Sequence, residues 1–224
     1  MADRGAGRPN TRQASAVDRA LAERQRVAAE EVERILAAAV RVMERVAPAA
    51  PRISDIVAEA GSSNKAFYRY FAGKDDMILA VLERGVALVA SYVQHQMAKH
   101  SNPAEKITCW IAGTLAQLAD THLTSMSRAT MGQFTASAEE ILSSRIKIMS
   151  PLRDLLTGPV AALGQADPVR DADLIFFCTI DAMSRYISAT APPAPADIEH
   201  LIGFCMRAIG AADVRLGGGL SRAR

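Results

Sequence analysis

Aromatic and basic side chains are concentrated in one short segment of the sequence. The whole chain has one Trp, four Tyr and six Phe. Between Ser62 and Asp76 several of these cluster with basic residues: Phe67, Tyr68, Tyr70 and Phe71, with Lys65, Arg69 and Lys74. Tyrosine hydroxyls, ammonium groups and guanidinium groups donate hydrogen bonds to the phosphate oxygens of nucleic acids. A tyrosine beside phenylalanines can also be a core residue with a polar tip, so the choice depends on the elements that carry the cluster.

The residues around this cluster predict two short helices packed on a long one. Residues 16–47 are dense in Ala, Glu and Arg and contain no glycine or proline, which favours a long first helix. Apolar residues at helical spacing over residues 53–60 predict a short second helix. Ser62 or Ser63 can cap a third helix that runs to about Phe71.

The remainder of the chain has the apolar periodicity of longer helices. We expect one helix from Lys74 toward His100, another from Pro103, and further helices over residues 123–134, 137–163, 168–190 and 195–209. The helix over 137–163 is predicted to be kinked or broken at Pro151 and again at Gly158-Pro159. No segment has the two-residue alternation of a β-strand, so the predicted fold is all-α.

Charge and cysteine content limit the classes of function. The net charge is +2, so a nucleic-acid site would have to be a local basic patch. Cys109, Cys178 and Cys205 are odd in number and lie in apolar surroundings, which is typical of buried free thiols in a reducing cytoplasm. The sequence has neither a membrane-spanning apolar run nor an apolar signal segment, and we expect a cytoplasmic location.

Two short helices joined by a tight turn and packed on a longer helix predict a helix-turn-helix. In such a unit the N-terminal residues of the second short helix face base edges in the major groove. Asn64 suits adenine there, and Lys65 suits guanine. The two phenylalanines, one helical turn apart, are expected to anchor this helix in the core. Tyr68, Tyr70 and Lys74 then remain free to contact phosphates, the lysine at the positive end of the next helix.

The segment RISDIVAEAGSSNKAFYRYFAGKDDMILAVLERG resembles the DNA-binding segment of tetracycline-repressor (TetR) family regulators. The agreement covers ILAAAV in the first helix, DIVAEAG in the second, AFYRYF in the third, and the lysine and apolar residues that follow. The resemblance implies an all-helical regulator with a DNA-binding head and a C-terminal region that binds a ligand and forms a homodimer. It implies no cofactor and no metal site.

Carried over by position, the resemblance implies DNA contacts from seven residues: Asn64 and Lys65 on bases, Tyr68, Tyr70 and Lys74 on phosphates, and Ser63 and Arg52 in support. Arg52 departs from the hydroxyl residue that usually opens the second helix, and a direct arginine–phosphate contact could replace that cap. Ser62 departs from a small apolar residue, which predicts looser packing between the two short helices. Lys65 departs from a common glycine, which predicts a changed base preference or an added phosphate contact. Pro48-Ala-Ala-Pro51 replaces a glycine-containing turn.

The resemblance also assigns roles to the C-terminal region. It implies a dimer interface on the last two long helices: Leu174, Phe177, Cys178, Met183, Tyr186 and Ile187, with Ile198, Leu201, Ile202, Cys205 and Ile209. It implies a ligand cavity lined by another set: Trp110, Thr114, Met126, Met131, Phe134, Ile146, Met149 and Phe176. Apolar stripes of this kind also form the core of a single chain, so the structure must distinguish these alternatives.

The chain is thereby divided into four parts: a basic, partly disordered arm over residues 1–28, a helix-turn-helix domain over 29–76, a ligand-binding and dimerisation domain over 77–212, and a flexible tail over 213–224. The arginines of the arm could enter a minor groove. Equally, the arm could serve only to keep the chain in solution.

The patterns favour a DNA-binding transcriptional regulator, and the resemblance implies a homodimeric repressor that a small apolar ligand releases from a palindromic operator. A DNA-binding protein with no effector, constitutive or architectural, is the alternative. A thiol-based redox sensor would need an exposed cysteine of low pKa. An enzyme is disfavoured because the sequence lacks the G-x-G-x-x-G, P-loop, H-E-x-x-H and G-x-S-x-G motifs, and its histidines lack metal-ligand spacing.

Overall fold

The computed structural model of the chain describes residues 11–46, 49–117, 138–189 and 191–211, and side chains within these ranges except at 11–13 and 138–142. The helices in these ranges are α1 (Thr11–Val46), α2 (Ile53–Glu59), α3 (Asn64–Tyr70), α4 (Lys74–Met97), α5 (Pro103–Ala116), α6 (Ala138–Asp154), α7 (Thr157–Ala162), α8 (Pro168–Ala189) and α9 (Pro195–Ala208). No β-strand occurs in the described ranges, and the all-α prediction is confirmed. None of these helices is long and apolar enough to cross a membrane.

Helix α1 begins at Thr11, earlier than the sequence predicts, so it includes most of the expected arm over residues 1–28. The side chains from residue 14 to residue 27 are exposed, Val17 and Leu21 among them. Arg26 pairs with Glu23 at 2.7 Å and with Glu30 at 2.5 Å. Pairs at these spacings support a solvent-exposed helix, which explains why α1 continues beyond the residues that pack on other helices.

A first core, the head core, joins α1, α2, α3 and the start of α4. Its fully or nearly fully buried members come from all four helices: Ile35, Val42 and Met43, Ile56, Phe67 and Phe71, Met77 and Ile78. The rings of Phe67 and Phe71 lie 5.3 Å apart between their centroids. Both phenylalanines therefore anchor α3 as predicted, while Tyr68 on the same helix is 59% exposed.

A second core, the body core, surrounds Trp110 of α5. Its indole Nε1 donates a hydrogen bond of 2.9 Å to the carbonyl oxygen of Leu152, and its ring centroid lies 6.2 Å from that of Phe176. Residues of α4 through α9 contribute to this core. Helix α4 is shared, because Ile78 packs in the head core and Val93 packs in the body core.

The segment predicted as one helix over 137–163 is divided, but at residues 155–156, and neither Pro151 nor Gly158-Pro159 breaks a helix. Pro151 lies inside α6. Pro151 cannot donate to the Lys147 carbonyl, but the hydroxyl of Ser150 donates to that oxygen at 2.8 Å. Pro159 lies in the first turn of α7, where its missing N–H has no helical partner. The predicted helix over 123–134 lies outside the described residues.

Replacing Phe67 by Ala should lower the free energy of unfolding by about 3–5 kcal/mol, because the ring fills the head core completely. Tyr68→Ala is the matched control on the same helix, and it should cost no more than about 1 kcal/mol. Urea denaturation of both variants measures the difference. Equal losses would show that Phe67 does not anchor α3.

Candidate nucleic-acid interface

The turn between α2 and α3 presents the N-terminus of α3 outward. Gly61 adopts φ +61°, a backbone conformation that favours glycine and allows the chain to reverse after α2. Ser63 accepts a hydrogen bond of 3.1 Å from the Ala66 N–H and caps α3. Of the two serines expected to cap this helix, Ser62 makes a different contact, which is described below.

Apart from Ser63, which caps α3, four of the predicted DNA-contacting residues have exposed side chains. Arg52, Asn64, Lys65 and Tyr68 are all exposed, and Lys74, the first residue of α4, is partly exposed. The Asp76 carboxylate accepts a hydrogen bond of 2.8 Å from the Ala72 N–H, which fixes the turn before α4. These side chains are therefore accessible to a partner, while Phe67 and Phe71 are buried in the head core.

Ion pairing separates the basic residues of the head into two groups. Four arginines are paired with carboxylates: Arg41 and Arg45 with Glu59, Arg69 with Glu31, and Arg84 with Glu33. Within the part of the chain that the structure describes, Arg52, Lys65 and Lys74 form no ion pair. Arg34 of α1 also forms no ion pair in these ranges, although its charge acts on Glu31. The other cations of the head without an ion pair are the three predicted to contact DNA.

Tyr70 differs from Tyr68, because its hydroxyl is already engaged. It is partly buried and donates a hydrogen bond of 2.8 Å to Oε2 of Glu31 on α1. Ser62 donates to Oε1 of the same carboxylate at 3.3 Å. The bond from Tyr70 is the main cause that holds the pKa of Glu31 below its ordinary value of 4.5. Glu31 was missed in the sequence, although it lies one helical turn before Ile35 and so shares its inward face.

A second carboxylate connects α1 with α2. Glu59 accepts from Arg41 at 2.9 Å and from Arg45 at 3.2 Å. These two hydrogen bonds, Arg41 first, lower the pKa of Glu59. Arg84 of α4 pairs with Glu33 of α1 at 3.0 Å. Helix α1 is therefore bound through side chains to each of the other three helices of the head.

The predicted ligand-lining residues divide into three groups. Trp110, Thr114 and Phe176 are buried in the body core, and Met149 is partly buried against it. Ile146 is 51% exposed and does not face that core. Met126, Met131 and Phe134 lie outside the described residues. The Thr114 hydroxyl is buried and has no hydrogen-bond partner among the residues that the structure describes, which is costly for a polar group inside a protein.

The predicted dimer-interface residues also divide. Leu174 and Phe177 are 58% and 57% exposed on α8. Five are partly buried: Cys178, Met183, Tyr186, Ile198 and Leu201. Four are buried inside the single chain and offer little surface to a partner: Ile187, Ile202, Cys205 and Ile209. Phe204 of α9 is 51% exposed and was not singled out in the sequence, because spacing alone does not show exposure. It adds to the exposed apolar side chains of Leu174 and Phe177.

The three cysteines are free thiols, but only Cys205 is buried as predicted, and Cys109 and Cys178 are partly buried. Burial raises the pKa of Cys109 and raises the pKa of Cys205 to about 11. Thiols of this kind carry little thiolate at neutral pH, which disfavours a redox sensor built on either residue. In the described part of the chain, no cluster of three or more His, Cys, Asp or Glu residues could hold a metal ion.

Comparison with known proteins agrees with this geometry. Residues 35–81 match the family model of bacterial regulatory proteins, tetR family, which confirms the resemblance seen in the sequence. No curated protein matches the chain. These results point to transcription regulators rather than to an enzyme family.

Solved structures extend the likeness to most of the chain. The transcriptional regulator FadR from Bacillus subtilis, in complex with stearoyl-CoA, is 18% identical, with a TM-score of 0.64 over 80% of this chain and 98% of that one. FadR from Bacillus halodurans is 17% identical, with a TM-score of 0.64 over 82% and 99%. E. coli NemR in its reduced form is 16% identical, with a TM-score of 0.61 over 79% and 96%. At these identities the likeness shows a shared fold.

Proposed function

With residues 35–81 matched to the tetR family of bacterial regulatory proteins, we propose that the chain is a transcriptional repressor that binds a palindromic operator as a homodimer and is released by a small apolar ligand. One observation carries the DNA-binding part. The exposed side of the helix-turn-helix holds the cations Arg52, Lys65 and Lys74 without internal ion pairs, while the phenylalanines of α3 fill the core behind them.

Each exposed residue then has a role set by its position. Asn64 and Lys65 open α3, so they reach the base edges of the major groove. Arg52 before α2 and Lys74 at the start of α4 contact phosphates on either side. The hydroxyl of Ser63 caps α3 through its oxygen and keeps its proton for a phosphate, and Tyr68 can donate in the same way.

Dimerisation follows from an uncovered apolar surface. Leu174, Phe177 and Phe204 are large apolar residues on α8 and α9 that remain exposed in the single chain. Two copies joined through this surface would place two heads on one DNA, and half-sites about one helical turn, roughly 34–36 Å, apart would be read together.

The ligand would bind in the body core near Thr114. Its hydroxyl is buried without a hydrogen-bond partner in the described part of the chain, so a polar atom of a ligand would gain a hydrogen bond there. The Bacillus subtilis structural neighbour contains stearoyl-CoA, which supports an apolar chain as the effector class. Helix α4 packs in both cores, so a ligand that shifts α4 in the body also changes the head, and the coupling is reciprocal in free energy.

Selection of bound fragments from random double-stranded DNA tests the function directly. At near-physiological salt we expect enrichment of a palindrome, with half-sites about one DNA turn apart. Binding without enrichment would support the alternative of an architectural protein, and an enriched single half-site would contradict the dimer.

Two substitutions should separate base contacts from phosphate contacts. Asn64→Ala should relax the preference at one operator position by about 1–3 kcal/mol. Lys74→Ala should weaken binding to all sequences alike and reduce the slope of log K against log[salt] by about 0.9. Lys99→Ala, beyond the other end of α4, is the control and should leave both properties unchanged. Fluorescence anisotropy over a salt series measures these effects, and an unchanged operator preference in Asn64→Ala would exclude that residue from base readout.

Thr114→Val should raise the free energy of unfolding by about 1–3 kcal/mol, because it removes an unpaired buried hydroxyl at nearly constant volume. Thr179→Val is the matched control, since the buried Thr179 hydroxyl donates to the Ile175 carbonyl at 2.8 Å and its loss should be destabilising. The Thr114 variant should also show a smaller rise in Tm with stearoyl-CoA than the wild type. Destabilisation of both variants alike would show that the Thr114 hydroxyl has a partner.

A further inference from the structure

Two hydroxyl groups and one guanidinium group surround Glu31. The Tyr70 hydroxyl donates a hydrogen bond of 2.8 Å to Oε2, and the Ser62 hydroxyl donates one of 3.3 Å to Oε1. Nη1 of Arg69 lies 3.7 Å from Oε2, which is the distance of an ion pair. The Glu31 side chain is 19% exposed, less than the side chains of Glu59 and Glu33, two other ion-paired carboxylates of the head. Two hydrogen bonds and one ion pair thus converge on a single partly buried anion.

Ser62 and Tyr70 connect Glu31 to both ends of α3, the helix proposed to enter the major groove. Ser62 precedes the cap of α3, and Tyr70 is its last residue. A helix of seven residues is too short to keep a fixed direction by its own hydrogen bonds. Burial of Phe67 and Phe71 fixes the distance of α3 from the head core. Because both rings lie on one side of α3, they restrain rotation of the helix about its axis and movement along its axis less well. The polar contacts to α1 restrain those two movements.

The engagement of Tyr70 also limits its other possible role. A phenol has one proton to donate, and in Tyr70 that proton is used in the bond to Glu31. Arg69 lies 5.6 Å from the centroid of the Tyr70 ring, which further fixes the ring. Tyr68 is 59% exposed, and its ring meets that of Phe67 edge-on at 5.3 Å between centroids.

We infer that Glu31 is a positioning residue for operator recognition, which acts through Tyr70 and Ser62 to set the orientation of α3, and that the Tyr70 hydroxyl serves this contact rather than a DNA phosphate. The inference rests on the proposed DNA-binding function. It predicts that Glu31 and Tyr70 affect specificity, which needs a correctly oriented helix, more than general affinity, which needs only positive charge.

The experiment measures the ratio of operator affinity to affinity for random-sequence duplex at constant salt. Tyr70→Phe and Glu31→Ala should each lower this ratio about 10-fold, the size expected for loss of a hydrogen bond to a charged group. The double variant should be no worse than either single variant, because both remove the same link. Glu31→Gln should keep most of the ratio, since its amide oxygen still accepts from Tyr70. Tyr68→Phe is the control, and it should weaken both kinds of binding equally.

Each outcome has a distinct meaning. A wild-type ratio near one would overturn the proposed function, and with it any role of Glu31 in recognition. If the wild type prefers its operator but Tyr70→Phe weakens both kinds of binding equally, Tyr70 is a phosphate ligand and the inference is overturned alone. Additive losses in the double variant would overturn it as well. Thermal unfolding of every variant identifies those that do not fold, and if Glu31→Ala is among them, Tyr70→Phe, which removes only the hydroxyl, decides the test.

Discussion

Burial of two phenylalanine rings is the constraint on which the head depends. Helix α3 is seven residues long, and helices of that length do not persist alone in water. Its place is set by Phe67 and Phe71, each of which gains about 1.5–3 kcal/mol when it leaves water. Once these rings are inside, the geometry of the helix leaves Asn64, Lys65 and Tyr68 facing outward. The candidate interface is thus a consequence of the core behind it.

Two carboxylates add polar contacts between helices to the apolar contacts of the head core. Glu31 connects α1 with α3, and Glu59 of α2 connects with two arginines of α1. Exposed ion pairs contribute little to stability. The effect of these contacts is therefore on the orientation of the helices and on the charge of the surface. They orient short helices, and they neutralise arginines that would otherwise join the positive surface. Arg52, Lys65 and Lys74 are left at the positions where DNA is expected.

Patterns within one helix were readable from the sequence, whereas contacts between distant segments were not. Spacing alone predicted that Phe67 points inward and Tyr68 outward, because both facts follow from helix periodicity. The hydrogen bond between Glu31 and Tyr70 joins residues of separate helices, so no pattern within one helix predicts it. On α8, periodicity identified apolar residues but could not tell the buried Ile187 from the exposed Phe177, since both faces of that helix are apolar. Pro151 does not end its helix, and the hydroxyl of Ser150 donates to the Lys147 carbonyl oxygen that Pro151 cannot reach as a donor.

The sharing of α4 between the two cores also determines how the native state can open. Met77, Ile78 and Val81 hold its first part in the head, and Val86, Ala90 and Val93 hold its later part in the body. Between them lies Gly85, and glycine is about 1 kcal/mol worse than alanine inside a helix. Partial unfolding of the head would run along α4 and stop at this residue, where continuing the helix is least favoured. Amide hydrogen exchange would then divide a single continuous helix into two cooperative units.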